Sequence, residues 1–169
     1  MANDDHPSLA AQDLPGALRE LRTRPLFVMQ LEVSALQLAG GPEGAQKRNG
    51  AIPGGVFTGE RLSGTVLGGG GDWQTLRSDG TVSLDARVML QTGDKHLIAM
   101  SYGGLRCGPA EVMARLGRGE AVDPAEYYFR IWSTFSTSAP PYVWMNNIFA
   151  VGIGHRLPDG PVYNLFEIA

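Results

Sequence analysis

The chain has 169 residues and a net charge of −3, with 14 lysine and arginine residues against 17 aspartate and glutamate residues. This length is usual for one domain and can bury a core without disulfides or metals. Nucleic-acid-binding proteins generally carry a basic face, and no lysine or arginine run occurs here, so we expect no nucleic-acid partner. No apolar run approaches the roughly 20 residues of a membrane helix, and the polar start lacks a secretory-signal pattern, so we expect a cytoplasmic location without membrane contact.

Metal-binding and nucleophilic motifs are not evident in the sequence. The single cysteine, Cys107, cannot form an intramolecular disulfide, and we interpret it as a small, partly buried thiol rather than a nucleophile. His6, His96 and His155 are far apart, and no CxxC, HxH or HExxH spacing supports a zinc site. The run Gly68–Gly71 lacks the Gly-Lys-Ser/Thr ending of a phosphate loop. We therefore expect no metal and no cofactor.

The N-terminal region divides from the rest of the chain near residue 24. Residues 1–11 are polar, and the apolar spacing over residues 12–24 predicts a short surface helix that ends at Pro25. Residues 25–38 then alternate between apolar and mostly polar positions, as in a half-buried antiparallel strand. We accordingly divide the chain into a tail with a short helix, residues 1–24, and a β domain, residues 25–169.

Strand and turn signals follow one another through the middle of the chain. Residues 52–67 form a strand pattern interrupted by glycines, which indicates bends or bulges. Gly68–Gly71 is interpreted as a flexible turn, and Asp79-Gly80 as a hairpin turn. Residues 81–92 alternate regularly, and a further strand is predicted over residues 96–102.

The last third of the chain adds one helix and three predicted strands. The helix is expected over residues 109–119 and the strands over residues 125–138, 142–154 and 162–168. Together these elements predict an all-β fold, an antiparallel up-and-down β-barrel of about 8–10 strands with one or two short helices. We favour a barrel over a sandwich because closure removes exposed edges and glycine kinks let long strands curl.

Several polar and aromatic residues lie within predicted strands, where one face of each barrel strand looks into the lumen. If those faces point inward, they form a polar pocket with apolar walls, which is typical of ligand sites. The alternative is that they face water or pack as core. The candidate catalytic residues are Asp72, Asp85, Tyr128 and Arg130, and the candidate ligand-binding residues are Trp73, Arg77, Arg106, Trp144 and Asn146.

Five ordered runs resemble domain-of-unknown-function family 3237, also called uncharacterised protein family 0311. The longest runs from Pro53 to Leu67 and is followed by Gly-Gly-Asp-Trp at 70–73. The other four are Arg-Ser-Asp-Gly at 77–80, Leu-Asp-Ala-Arg at 84–87, Glu-Tyr-Tyr-Phe-Arg at 126–130 and Tyr-Val-Trp-Met-Asn at 142–146. The resemblance covers about residues 25–168 and implies a closed antiparallel β-barrel with a central cavity, but no general activity.

Two positions depart from the pattern of that family. Where the family usually continues with Phe-Glu-Thr-Gly, this chain has Phe-Ser-Thr-Ser at 135–138, so Ser136 replaces a glutamate. Where the family often has histidine, this chain has Cys107. If the glutamate belongs to the family's site, the chemistry of this chain is altered or absent.

Three hypotheses follow for function. The first is an isomerase, lyase or cyclase that acts by proton transfer on a small carbonyl or aromatic metabolite, with an aspartate as base and arginines holding an oxyanion. The second is a non-catalytic small-ligand-binding barrel, which the loss of the glutamate at position 136 favours. The third is a structural barrel with a filled lumen. A homodimer is one of the oligomeric states that the sequence leaves open, because most soluble oligomers are symmetric dimers.

Overall fold

The computed structural model describes residues 10–169. Most of this part of the chain is antiparallel β-structure, with a single α-helix, α1 (Ala110–Gly117), and four short 3-10 segments. The strands in chain order are β1 (Thr23–Glu32), β2 (Gln37–Gly40), β3 (Gln46–Ile52), β4 (Gly54–Thr58), β5 (Ser63–Leu76), β6 (Val82–Thr92), β7 (Leu97–Cys107), β8 (Tyr128–Ser136), β9 (Ala150–Leu157) and β10 (Gly160–Ile168).

The sheet closes on itself because β5 pairs along both of its edges. The strand order is β2-β3-β5-β4-β1-β10-β9-β8-β7-β6, and β5 also pairs with β6. β4 occupies the first half of one edge of β5 and β3 the second half. Eight strands thus form the ring, and β2 and β3 extend its wall at one end. This confirms the predicted antiparallel barrel.

The lumen is filled by alternate side chains of each strand, as the pleat of a closed barrel requires. Along β6, residues 82, 84, 86, 88, 90 and 92 are all buried, whereas Asp85, Arg87 and Met89 between them are exposed. Phe27 and Phe57, whose tilted rings have centroids 5.3 Å apart, belong to the same apolar core. The middle of the barrel is therefore a packed core rather than a channel.

One end of the barrel, here called the base, is sealed by an ion-pair network. The Glu167 carboxylate on β10 accepts hydrogen bonds from Arg24 Nη2 at 2.7 Å and from Arg61. The Arg61 guanidinium lies 4.2 Å from the centroid of the Trp144 ring, in the 3-10 segment Pro140–Asn147. This segment covers the base, where the β6–β7 turn also lies.

The opposite end, here called the mouth, is bordered by β2, β3, the β5–β6 turn and α1. The Asp79-Gly80 turn forms as predicted, with Gly80 at φ +80° and its N–H donating to the Arg77 carbonyl at 3.1 Å. A positive φ of this size favours glycine. The helix α1 lies within the predicted range 109–119 and buries Val112 and Leu116.

The single helix expected over residues 12–24 is wrong. The chain instead makes two 3-10 turns, Ala11–Asp13 and Gly16–Leu18, and β1 begins at Thr23. Pro15 and Gly16 interrupt the helical apolar spacing, because proline removes a backbone donor and glycine weakens helices. Pro25 does not end a helix but lies in β1 at an irregularity of the β1–β10 register.

Two further expectations about strands are also corrected. The run Gly68–Gly71 is part of β5 rather than a turn, and the register against β6 shifts between Leu67 and Gly71. The glycines thus make a bulge that bends one long strand around the barrel. Residues 142–147 belong to a 3-10 segment, and β9 begins only at Ala150, so the predicted strand over 142–154 is too long.

We expect the Gly64→Ala substitution to destabilise the barrel by about 1–3 kcal/mol, since overpacking costs this much. A Cβ at Gly64 would overlap the backbone carbonyl oxygen of Gln91 on β6, which cannot move without breaking the ladder. The control is Gly117→Ala in α1, where a Cβ meets nothing within 4 Å. Urea unfolding measures both, and equal stability of the two variants would contradict the prediction.

We expect Glu167→Gln to lower the free energy of unfolding by about 1–3 kcal/mol at neutral pH. Hydrogen bonds from Arg24, then those from Arg61, hold the pKa of Glu167 below its usual range. The stabilisation is therefore present above the ordinary glutamate pKa and is lost as pH falls through the lowered value.

Denaturant unfolding at several pH values checks this, with the exposed neighbour Glu60→Gln as control. The difference between parent and Glu167→Gln must shrink on acidification. A difference that is constant with pH would show that the ion pair does not carry the stability.

Candidate functional site

A cavity of about 410 Å³ opens at the mouth, between the β5–β6 turn and α1. Its polar lining includes the side chains of Arg48 from β3 and Arg106 from β7, with Asp79 at the turn. The rest of its wall is mostly apolar or small, contributed by Leu76, Val82, Ala110, Met113, Ala114 and Gly117. Apolar walls with a few charged groups are typical of small-molecule sites.

Asp72 lies directly below this cavity, inside the barrel. Leu76, Gln74 and Asp72 are successive inward-facing positions of β5. Leu76 lines the cavity, so Asp72 lies two inward-facing positions further into the barrel. Its Oδ2 accepts a hydrogen bond from Gln74 Nε2 at 2.7 Å, while its Oδ1 is buried and has no partner among residues 10–169. Burial raises the pKa of Asp72, and this is opposed by the Gln74 bond and by Arg106 and Arg48.

Arg106 is the least exposed arginine in the described part of the chain, at 9%. Its Nε is one of the buried polar atoms for which residues 10–169 supply no hydrogen-bond partner. Its guanidinium lies 5.5 Å from the centroid of the Phe129 ring. Burial, and then the like charge of Arg156, lowers the pKa of Arg106 to about 10. The group still carries its charge at neutral pH.

Two tyrosines complete the polar cluster in the lumen. The rings of Tyr102 on β7 and Tyr163 on β10 pack with centroids 5.6 Å apart. Burial is the main cause that raises the pKa of both, so each is a neutral phenol at neutral pH. The two tyrosine hydroxyls interact with each other, and the Ser133 hydroxyl on β8 has no hydrogen-bond partner within the described chain. Buried polar atoms are nearly always bonded, so the Ser133 hydroxyl is an exception among the described residues.

Arg48 and Arg156 connect the cluster to the rim of the mouth. Arg48 Nε donates to Gln74 Oε1 at 2.9 Å, which links it through that amide to Asp72. Arg156 on β9 donates from its backbone N–H to the Tyr127 hydroxyl at 2.8 Å. Burial lowers the pKa of both arginines, and the like charge of Arg156 lowers the pKa of Arg48 further.

The structure brings together only two of the predicted site residues in the lumen, Asp72 and Arg106. Tyr128 and Arg130 point outward from β8, where the Arg130 guanidinium lies 4.9 Å from the centroid of the Tyr128 ring. They line a groove of about 860 Å³ on the outside of the barrel, beside Trp132. The expectation that this polar face of β8 looks into the lumen is therefore wrong, because Phe129 and Ile131 take the inward positions.

Trp73, Arg77 and Asp85 also lie outside the lumen. Trp73 is 54% exposed, and Asp85 forms a surface ion pair with Arg87 at 3.2 Å. Arg77 is exposed in the β5–β6 turn. Trp73 and Arg77 share a face, as the period of two predicts, and that face is the outer one.

Trp144 and Asn146 lie at the base, away from the mouth. Trp144 stacks on Arg61, as described above, and Asn146 exchanges hydrogen bonds with the backbone of Thr137. Both roles close the end of the barrel. Asn146 and Trp144 are therefore not placed together with Asp72.

The two departures from the family pattern also lie outside the mouth cavity. Ser136 is exposed at the base end of β8, so a glutamate at this position would not reach the Asp72 cluster. Cys107 is the last residue of β7 and pairs with Tyr128 in the ladder, on the outward face. Neither substitution removes a group from the lumen.

The site residues that sequence reasoning misses are Arg48, Gln74, Tyr102, Arg156 and Tyr163. Arg48 lies in β3, between the strands predicted over residues 25–38 and 52–67, where the sequence analysis places no element. Gln74, Tyr102 and Tyr163 occupy inward positions that the alternation of their strands would place in the lumen. The signal that could have found them is a polar residue at a position where the alternation demands an apolar one.

The described residues hold neither a cluster of metal-ligating side chains nor a membrane-spanning helix. Among residues 10–169, no group of three or more histidine, cysteine, aspartate or glutamate side chains is arranged to hold a metal ion. Within the same range, no helix is long and apolar enough to cross a membrane.

Comparison with known proteins shows relatives over most of the chain. A UPF0311 protein of Rhodopseudomonas palustris is 32% identical over 148 residues, which is 88% of this chain and 97% of the relative. A UPF0311 protein of Clostridium acetobutylicum is 33% identical over 154 residues, 90% of this chain and 97% of the relative. Both names leave the function open.

Solved structures match the barrel closely. A protein of unknown function from Rhodopseudomonas palustris superposes with a TM-score of 0.86 at 32% identity, covering 89% of this chain and 99% of that chain. A β-barrel-like protein from Acinetobacter baumannii has a TM-score of 0.79 at 34% identity, covering 94% and 100%. An enzyme from Penicillium herquei shares the fold at 23% identity, with a TM-score of 0.68 and coverage of 88% and 95%.

The family model described as protein of unknown function DUF3237 matches residues 21–168. This match spans the whole barrel from the residues before β1 to the end of β10, and the relatives above carry the same family name. The chain belongs to the DUF3237 family, whose members are also called UPF0311 proteins.

Proposed function

We propose that this chain is a small-molecule-binding β-barrel whose ligand enters at the mouth, and that Asp72 exchanges protons with the bound molecule. The observation that carries the proposal is a pair of buried charged groups at and below the mouth cavity, whose atoms Asp72 Oδ1 and Arg106 Nε lack hydrogen-bond partners among residues 10–169. Leaving such groups unpaired costs about 1–3 kcal/mol each, which a bound polar ligand offsets.

The chemistry that this arrangement supports is acid–base catalysis without a cofactor, of the isomerase, lyase or cyclase type. A ligand oxygen that enters between Arg48 and Arg106 would meet positive charge on both sides, which stabilises an enolate or phenolate. The unpartnered oxygen of Asp72 would face the atom next to it. A carboxyl whose pKa is raised by burial is a suitable base near neutral pH.

The mouth supports this proposal better than the outer groove does. In the groove, Arg130 Nη1 donates to the Phe129 carbonyl at 2.9 Å and its guanidinium lies over Tyr128. No groove-lining polar atom is among the buried unpartnered atoms found in the described chain. A purely structural barrel is disfavoured because, although its middle is packed, the cavity at its mouth, about 410 Å³, exceeds the roughly 300 Å³ of a small ligand site.

A thermal-shift screen against small carboxylic acids, phenols, enones and lactones tests the binding site. We expect at least one of these classes to raise the melting temperature, because a ligand that binds the folded state stabilises it by mass action. Arg106→Met should remove the shift, whereas the matched outer-face variant Arg130→Met should keep it. Loss of the shift in Arg130→Met alone would move the site to the outer groove.

Incubation of the binding compounds in D2O with NMR detection tests the proton transfer. In the parent, we expect a carbon-bound hydrogen next to the ligand's oxygen to exchange for solvent deuterium. In Asp72→Asn this exchange should be at least about 100-fold slower, since general bases contribute about this much. Binding without exchange in the parent would identify a non-catalytic binder instead.

The same Asp72→Asn variant has a predicted effect on stability. Since the pKa of Asp72 is raised in the fold, ionisation of this carboxyl opposes folding, and the opposition grows as pH rises from the ordinary carboxyl pKa through the raised value. The amide of the substituted side chain still offers an oxygen to Gln74. We therefore expect the melting temperature of Asp72→Asn to match or exceed that of the parent at neutral pH, and a much lower value would show that Asp72 is structural.

A further inference from the structure

The arginines of the mouth have no carboxylate to neutralise them. Arg24, Arg61, Arg87, Arg115 and Arg118 each form an ion pair with an acidic side chain. Among the described residues, Arg48, Arg106 and Arg156 form no ion pair within 4.0 Å, although Arg106 is buried and the other two are half-buried. Asp159 acts on Arg156 through space, so the surplus of positive charge is at Arg48 and Arg106. Buried charges are generally paired, so this surplus of positive charge needs an explanation outside the fold itself.

The acidic groups near the mouth do not cancel the surplus. Asp72 acts on Arg48 and Arg106 through space, but burial disfavours its charged form. Asp79 lines the cavity, yet it is exposed in the turn and its Oδ1 accepts the Thr81 N–H at 2.9 Å. The like charges of Arg156 and Arg48 both act against the charged form of Arg106. An anion in the cavity would relieve this repulsion.

The geometry of the donors matches a planar anion. Arg48 uses its Nε for Gln74, so the two terminal nitrogens of its guanidinium are available to the cavity. Arg106 on β7 lines the same cavity. A guanidinium presents donors in a flat fork that suits the two oxygens of a carboxylate.

The remainder of the cavity favours an organic acid over inorganic phosphate. Beyond the two arginines, most of the wall is formed by Leu76, Val82 and Met113 with alanines of α1, which offer contact to an apolar body. The other polar side chains of the wall are Ser78 and Asp79, and the Asp79 carboxylate would repel a phosphate. The volume of about 410 Å³ limits that body to a small molecule.

We infer that the ligand of this site is a small organic carboxylate, whose carboxylate group lies between Arg48 and Arg106 and whose apolar body lies against Met113 and Leu76. This inference rests on the proposed function, since it names the class of molecule that the mouth site binds. Asp72 then lies behind the carboxylate, within the same cluster, beside the carbon to which the acid group is attached.

Calorimetric titration with benzoate, benzamide and inorganic phosphate tests the inference. Benzoate and benzamide have nearly the same shape and differ in charge, so we expect benzoate to bind at least about tenfold more tightly, as hydrogen bonds between charged groups imply. Phosphate should bind more weakly than benzoate because it has no apolar body.

Variants of the arginines show which side chains bind benzoate. Arg48→Met and Arg106→Met should each weaken benzoate binding by about tenfold or more, whereas Arg77→Met, which removes an exposed charge from the neighbouring turn, should stay within about twofold. Melting of each variant verifies folding, and Arg48→Lys, which keeps the charge but loses the fork, should lie between parent and Arg48→Met.

Each contrary result has a distinct meaning. Equal binding of benzamide and benzoate, or tighter binding of phosphate, would overturn the carboxylate inference. An equal loss in Arg77→Met would show only general charge attraction and would overturn it too. If neutral compounds from the thermal-shift screen bind in an Arg106-dependent way and benzoate does not bind, the mouth is still the binding site. Only the inference that its ligand is a carboxylate would then be wrong.

Discussion

The pairing of β5 with strands on both of its edges is the constraint from which the rest of the molecule follows. One edge carries β6, and the other carries β4 and then β3. To serve both edges over 14 residues the strand must bend, and the bulge between Leu67 and Gly71 provides the bend. Closure then divides every strand into an inner and an outer face, so each side chain is committed either to the lumen or to the surface.

The two ends of the closed barrel use charge in opposite ways. At the base, the buried Glu167 is met by Arg24 and Arg61, so its charge is paired within the fold. At the mouth, Arg48 and Arg106 face a cavity and lack such a partner in the described chain. A paired end stabilises the barrel, whereas buried groups left unpaired cost free energy. This asymmetry is the reason we propose a ligand for the mouth and none for the base.

The class of fold follows from local sequence signals, because strand alternation and turn chemistry are short-range effects. The alternation over residues 81–92 and the Asp79-Gly80 turn agree with β6 and its hairpin. Residues 12–24 fail as a helix because Pro15 and Gly16 interrupt it, and their apolar spacing alone does not show this interruption. Gly68–Gly71 has the composition of a turn, and it becomes part of a strand only because the chain pairs with β6 before and after it and with β3 from Gly70 onwards.

The site is harder to predict than the fold, because alternation shows which residues share a face but not which face is inside. Of the candidate residues, Asp72 and Arg106 lie in the lumen, whereas Tyr128 and Arg130 lie on the outer face of β8, an alternative that alternation alone left open. The inner face of β8 consists of Phe129, Ile131, Ser133 and Phe135, which is the more apolar of its two faces. Arg48 and Arg156 enter the site only through the pairing of distant strands.

The placement of the three tryptophans determines what fluorescence spectroscopy can observe in this protein. Trp73 and Trp132 are more than half exposed on the outer wall, and Trp144 lies at the base over Arg61. None of the three lines the mouth cavity. Indole emission therefore monitors the outer surface and the sealed end, and it is a poor reporter of occupancy at the mouth. The phenols of Tyr102 and Tyr163, in the polar cluster below the cavity, are the chromophores whose absorption would respond to a molecule bound there.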